Sequence, residues 1–295
     1  MFFSRQPTPS VPSQGTVVII GESPLAYLLA DIVGTNAYTP LMYTRKKDSS
    51  LVDLPTSYTV QLIAQKNHQT HVSYTNTINK PVDFCLIASL PEHARTDFLL
   101  LENKFLKAVP TLNFSHFYNH TLLAQSPHEN IFPAYFEGWL NFQKNTLLVL
   151  DHKLEAAMSF PAKTPHPFAP LFENSILNLT LSDPQKKIFW HHLIPYFLGN
   201  LILLNYRKST PDVLKQQDCR ELLNRAAKEL CDLAKKDKES ISETDVFSKI
   251  MQIPTTYKPR LSTPQNLHAL FSLVPEVSKF TTPALYDLLK GANKY

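Results

Sequence analysis

The hexapeptide Gly21-Glu22-Ser23-Pro24-Leu25-Ala26 follows a β-branched run, Thr16-Val17-Val18-Ile19-Ile20, and opens an amphipathic stretch that closes at Gly34. Strand, tight turn and helix in this order form a cradle for phosphate. The first glycine turns the chain sharply, a second small residue lets backbone approach a pyrophosphate, and a third lets the helix lie close on the strand. Gly21 and Ala26 fill the first and last places. Ser23 puts a side chain where close approach is wanted, and Glu22 adds a negative charge beside the expected phosphates. The second strand, Pro40-Leu41-Met42-Tyr43-Thr44, runs into Arg45-Lys46-Lys47 where a carboxylate would hold the ribose hydroxyls of NAD. A cation there pairs with the 2′-phosphate of NADP. These residues point to a dinucleotide site built on Gly21, Ser23, Ala26, Arg45 and Lys46, with NADP favoured. The bland reading is a plain strand-to-helix turn followed by a solvated charge run.

Other chemistries find little support. Cys85 lies inside an apolar strand pattern, and no Gly-x-Ser-x-Gly elbow occurs, which speaks against a nucleophilic hydrolase. His191 and His192 are adjacent, so on a helix they point in different directions, and no metal-binding His-Glu-x-x-His spacing is present. The three cysteines form no Cys-x-x-Cys pair and leave an odd count, so neither a disulfide framework nor a zinc site is signalled and a reducing, cytoplasmic setting is expected. The 29 basic and 25 acidic residues are scattered, unlike the basic stripe of a nucleic-acid binder. The most apolar run, 193–204, contains Pro195 and Asn200 and is too short to cross a bilayer, so a buried helix and no membrane association are expected.

The elements that must position these residues alternate. Thr16–Ile20 is apolar throughout, as in a parallel strand covered on both faces. Ser23 and Pro24 are a cap and first-turn proline for the next helix. Residues 58–64 with 71–74 read as a further strand or hairpin, 83–88 as a buried strand, 89–107 as a helix and 109–114 as another strand. Between 131 and 181 short apolar segments broken by prolines and asparagines suggest closing antiparallel strands. Beyond Asp183-Pro184 the spacing predicts helices over 185–207, 219–236, 242–251, 264–273 and 283–289. The expected fold class is α/β: a polar lead-in (1–14), a Rossmann-type dinucleotide-binding domain (15–183) and an all-helical domain (184–295) for substrate and dimerisation.

Gly21 with Ala26, Arg45, the strand 83–88, the helix through His192-Leu193-Ile194-Pro195-Tyr196 to Asn200, and the ending Pro283-Ala284-Leu285-Tyr286-Asp287-Leu288-Leu289 stand in the order of the ketopantoate reductase (2-dehydropantoate 2-reductase) family, which the chain resembles over nearly its whole length. That resemblance implies a C-terminal domain of 6-phosphogluconate dehydrogenase-like architecture and hydride transfer from NADPH to the keto carbon of a small 2-oxo acid. Ketopantoate, reduced to pantoate in pantothenate biosynthesis, is the implied substrate, and a homodimer is compatible with it. In the family a lysine in a Lys-Leu-x-x-Asn-x-x-x-Asn pattern gives the alkoxide its proton. Aligned here are His192 at the lysine, Tyr196 at the first asparagine and Asn200 at the second, spaced i, i+4 and i+8 on one helix face. Histidine can act as the acid with an ordinary pKa near 6.5, against roughly 10.4 for lysine. The same alignment gives Ser89 a backbone contact to the cofactor, Asn113 a contact on the nicotinamide side, and Gln265 or Asn266 the place of an acidic substrate ligand.

Two further readings stand beside this one. A protein that retains the fold without the chemistry would serve as a dinucleotide sensor or interaction module, and it accounts for the replaced lysine, glycine and acid. An oxidoreductase of the same architecture acting on a different substrate accounts for the altered cleft residues while leaving Arg45 useful.

Overall fold

The computed structural model describes residues 13–46, 54–63, 66–89, 93–114, 130–151, 154–158, 166–173, 175–181, 185–206, 210–236, 238–257 and 282–292. Strand β1 (Thr16–Ile20) is buried from Val17 onward and lies between β2 (Thr39–Tyr43) and β6 (Phe84–Ile87), parallel to both. Helix α1 (Pro24–Thr35) starts where expected, with Ser23 in extended conformation as its cap and Pro24 in its first turn. Adding β5 (Ser73–Thr75), β7 (Thr111–Asn113), β8 (Ile131–Glu137), β11 (Leu154–Met158) and β12 (Leu177–Leu181) gives an eight-stranded sheet in the order β12-β11-β8-β7-β6-β1-β2-β5. From β1 the chain builds outward to β2 and β5, then crosses back to β6 on the other side. Strand order therefore reverses at β1, and in an open α/β sheet the crevice at the carboxyl ends there is where ligands bind.

A second sheet packs over α1, in the order β4-β3-β10-β9, from β3 (Ser57–Gln61), β4 (His68–His71), β9 (Leu140–Gln143) and β10 (Thr146–Val149). Tyr27 of α1 stacks on Phe142 of β9 with ring centroids 3.7 Å apart and meets Tyr58 of β3 edge-on at 5.3 Å. Asp31, buried on the same helix, accepts from the Thr70 hydroxyl and lies 2.8 Å from His68 Nε2 on β4. α1 is thus buried on the faces toward both sheets from Ala26 to Val33, apolar but for Asp31, whose carboxylate is met by β4.

Several sequence expectations change in detail. The 58–74 segment divides: β3 and β4 form an antiparallel hairpin of the small sheet, whereas β5 joins the large one beside β2. The segment 131–181 is mixed. β8 runs parallel to β7 and β12 parallel to β11, and among the described residues of the segment antiparallel pairing is confined to β8 with β11 and β9 with β10. The helix expected to reach residue 107 is instead a short helix, α2 (Ala94–Phe98), followed by a 3₁₀ turn (Leu99–Glu102). It ends because Asn103 is extended, with its Oδ1 accepting from Phe105 N at 2.9 Å and its Nδ2 donating to Ile78 O at 3.1 Å. Such local side-chain bonds compete with helix continuation. A short helix α3 (Ala169–Phe172) precedes β12.

The C-terminal helices are α4 (Gln185–Tyr206), α5 (Thr210–Leu214), α6 (Gln217–Lys236), α7 (Glu243–Met251) and α8 (Pro283–Ala292). The expected 264–273 helix lies outside the described residues. Phe197, Leu201, Leu223, Leu230, Leu285 and Leu289 form their common core, which also takes in Tyr135 of β8 and Ala157 of β11. Gly199 makes the middle of α4 approachable: a Cβ there would stand 2.4 Å from Ile253 Cδ1. The start of α8 is held by Glu229 of α6, whose two carboxylate oxygens accept from Ala284 N at 2.9 Å and Leu285 N at 2.8 Å. These amides are among those a helix start leaves unbonded, and a carboxylate there also suits the helix dipole. Glu229→Ala is expected to cost about 1–2 kcal/mol. Hydrogen exchange should show it as faster exchange within α8, with the large sheet unchanged. All three cysteines are buried thiols, and burial pushes Cys85 up to about 12.

Candidate functional site

The turn leaving β1 carries the chemistry nominated by the sequence. Gly21 has φ +127°, a region open to glycine and very costly for other residues. A Cβ on Gly21 would lie 2.5 Å from the Ala88 carbonyl oxygen and 2.9 Å from Ser89 N. The turn is thus pressed against the end of β6, and glycine is required both for its φ and for this approach. Ser23 does not occupy the cradle as its position in the fingerprint suggests. Its hydroxyl accepts from Ala26 N at 3.2 Å and donates to Ala88 O at 2.5 Å, so the side chain is turned inward and ties the start of α1 to β6. Glu22 is also directed away from the fingerprint turn: its Oε1 accepts from the Thr44 hydroxyl at 2.7 Å, at the end of β2. Ala26 is fully buried, as close packing of helix on strand demands.

Arg45 follows Thr44 and forms an ion pair with Asp97 of α2. Asp97 is 1% exposed, and its second oxygen accepts from the Ser89 hydroxyl at 2.6 Å. The Nε of Arg45 is buried with no hydrogen-bond partner among the described residues. Lys46 is exposed, and its backbone amide donates to Thr44 Oγ1 at 3.3 Å. Asn113 ends β7 and is fully buried beside Ile87 of β6. The structure therefore gathers Gly21, Ser23, Ala26, Arg45, Lys46, Ser89 and Asn113 around the carboxyl ends of β2, β1, β6 and β7. Asp97 and the Glu22–Thr44 bond were not found by the sequence reading, because no local pattern links a residue of α2 to the end of β2.

The residues present fit a dinucleotide. The turn is bare of side chains at Gly21, α1 is long enough to present a first-turn dipole, Ser23 folds away, and Arg45 keeps a buried donor without a partner among the described residues.

In the helical part, α4 carries His192, Tyr196 and Asn200 on one face by spacing; the side chain of His192, with Gln265 and Asn266 as a whole, lies outside the described residues. Tyr196 is half-buried and lies parallel to Trp139. Together with Glu137, Asp151, His191 and Lys249 these rings line a cavity of about 250 Å³ between the β8–β9 connection and helices α4 and α7. Within it Lys249 pairs with Glu137 at 2.6 Å, and Asp151 Oδ2 accepts from Trp139 N at 2.6 Å. Asn200 is placed differently from the expected substrate ligand. It is fully buried, its Nδ2 donates to Tyr196 O at 2.7 Å, and its Oδ1 accepts from the Tyr257 hydroxyl at 3.1 Å. Burial raises the Tyr257 phenol well above the ordinary tyrosine range, so it remains a donor to Asn200. Tyr257→Phe is expected to cost about 1–2 kcal/mol by stranding the Asn200 oxygen. Urea unfolding checks this, and a loss under 0.3 kcal/mol, well below that range, would mean that Asn200 finds another donor.

No protein-family model and no curated protein sequence matches this chain. Solved structures do. A D-mandelate dehydrogenase with NADH and anilino(oxo)acetate aligns with TM-score 0.78 at 10% identity over 94% of this chain and 96% of that one. The 2-dehydropantoate 2-reductase of Geobacter metallireducens aligns with TM-score 0.76 at 13% identity over 94% and 100%. A dimeric ketopantoate reductase from Staphylococcus aureus aligns with TM-score 0.71 at 15% identity over 94% and 97%. Over that 94% the chain has the fold of these proteins, a Rossmann-type sheet followed by a helical domain.

Proposed function

We propose that the chain is a nicotinamide-dinucleotide-dependent reductase of a small 2-oxo acid, that it takes NADPH, and that ketopantoate is the substrate to try first. The observation that carries this reading is the turn at Gly21, pressed onto Ala88 and followed by a capped helix at the point where strand order reverses. The whole-length likeness to dehydrogenase and reductase structures supports it.

A bound dinucleotide would supply the hydride. Gly21 and the first turn of α1 would face its pyrophosphate, Arg45 and Lys46 its 2′-phosphate, and Ser89 and Asn113 its nicotinamide half. Reduction of the keto carbon leaves an alkoxide that needs a proton, and His192 is the proposed donor. Tyr196, Gln265 and Asn266 are proposed to hold the substrate, and Asn200 to brace α4 against Tyr257 from inside. A homodimer and a cytoplasmic location complete the proposal. Among the described residues no helix is long and apolar enough to cross a membrane.

A non-catalytic dinucleotide-binding protein is the second reading. It is favoured by Asn200, whose amide is bonded inside the protein. Oxidation of NADPH and of NADH by the purified chain should be followed with ketopantoate and a panel of other 2-oxo acids, alongside nicotinamide fluorescence to read binding. Turnover establishes the reductase and names its substrate. Binding with no turnover across the panel establishes the second reading, and absence of both ends the dinucleotide proposal.

A further inference from the structure

We propose that Asp97 is a specificity-determining residue: it holds Arg45 in an internal ion pair that a 2′-phosphate must open or share. The inference rests on the dinucleotide reading and concerns the adenosine end of that site.

Arg45 enters from the end of β2, whereas Ser89 and Asp97 belong to the segment leaving β6. β1 lies between those strands, so the pair joins the two walls of the crevice across the exit of β1, beside the Gly21 turn. The carboxylate is fixed on its own side. Asp97 N donates to His93 O at 2.9 Å, Oδ2 takes the Ser89 hydroxyl, and only 1% of the side chain is exposed. The guanidinium is the more accessible partner, 29% exposed, and keeps its Nε buried and unbonded among the described residues. The group able to reorganise toward an incoming anion is therefore the arginine.

A 2′-phosphate reaching Arg45 meets a cation already neutralised by Asp97, and it brings its own negative charge close to a buried carboxylate. Both effects weaken the phosphate's gain, because like charges in a partly desolvated site repel. A ribose without the phosphate leaves the pair undisturbed. Asp97 thereby lowers the advantage of a 2′-phosphorylated dinucleotide over its plain counterpart without removing it. Selectivity is a difference between two affinities, and a charge opposing one ligand changes it as effectively as a contact favouring the other.

The test is calorimetric titration of the whole chain with 2′,5′-ADP and with 5′-ADP, on the wild type, Asp97→Asn and Arg45→Gln. Asp97→Asn keeps the shape and an acceptor for Ser89 while removing the charge. The expected result is at least a tenfold gain in 2′,5′-ADP affinity with 5′-ADP changed less than threefold, and loss of the discrimination in Arg45→Gln. Should Asp97→Asn fold poorly, Asp97→Ser removes the same charge with a smaller side chain and should move the ratio in the same direction. If 5′-ADP binds but the ratio is flat or falls without the Asp97 charge, Asp97 merely orients Arg45 and the inference is overturned, with the dinucleotide reading intact. If neither nucleotide binds the wild type or the variants, the dinucleotide reading falls and takes the inference with it.

Discussion

Replacing Gly21 by alanine is expected to destabilise the protein by about 3 kcal/mol and to abolish dinucleotide binding. Two independent causes act at that one atom. At φ +127° a side chain is strained whatever the surrounding space, and here the new Cβ would stand 2.5 Å from the Ala88 carbonyl oxygen. That obstacle is backbone inside a parallel sheet, so it cannot rotate aside as a flexible side chain would. To relieve the clash, the β1 turn must lift from β6, which also pulls on the Ser23 bond to Ala88 O. Denaturant unfolding reads the first loss and nicotinamide fluorescence the second. A Gly21→Ala variant of wild-type stability that still binds the dinucleotide would mean that the turn relaxes without cost, and the cradle would have to be sought elsewhere.

Replacing His192 by alanine is expected to lower turnover by about 10²–10⁴-fold, the range of a lost general acid, with little change in dinucleotide binding. The helix that carries it is anchored by a core including Phe197, Leu201 and Leu285, so truncating this residue leaves its support in place. The pH profile provides a second check. A donor must be protonated, so turnover is present below the donor's pKa and is lost as pH rises through it. A histidine donor places that fall at lower pH than a lysine donor would. Full turnover in the alanine variant, or a flat profile through the histidine range, would remove His192 from the mechanism.

The large elements were legible because burial leaves a strong trace in composition. The β-branched run of β1, the Ser23-Pro24 start of α1 and the apolar stripe of α6 each follow from one local rule, and each forms where expected. What was illegible depends on partners far along the chain. The 140–149 hairpin reads as closing strands, yet it leaves for a second sheet because Leu147 pairs with Val60. The 3₁₀ turn after α2 depends on Asn103 reaching Ile78 O. The site divides in the same way. Gly21 makes the sharp turn and Ala26 the close packing that their spacing implies, while Ser23, Glu22 and Arg45 have partners on neighbouring strands or beyond them. A fingerprint gives residue types along one segment, and charges and hydroxyls settle their partners across several.

The position of α1 between two sheets also bears on how the chain emerges from the ribosome. β1, α1 and β2 are complete once residue 43 has been synthesised, but the strands that cover the outer face of α1 include β9 and β10, which end at residue 149. During vectorial synthesis Tyr27 and its neighbours therefore wait more than a hundred residues for Phe142, and β3, which ends at residue 61, waits for β10, which begins at residue 146. Over that interval the nascent Rossmann half carries an uncovered apolar helix face, the kind of surface that chaperones bind. Slow translation before residue 149 would prolong the exposure, and slow translation just after it would give the second sheet time to close.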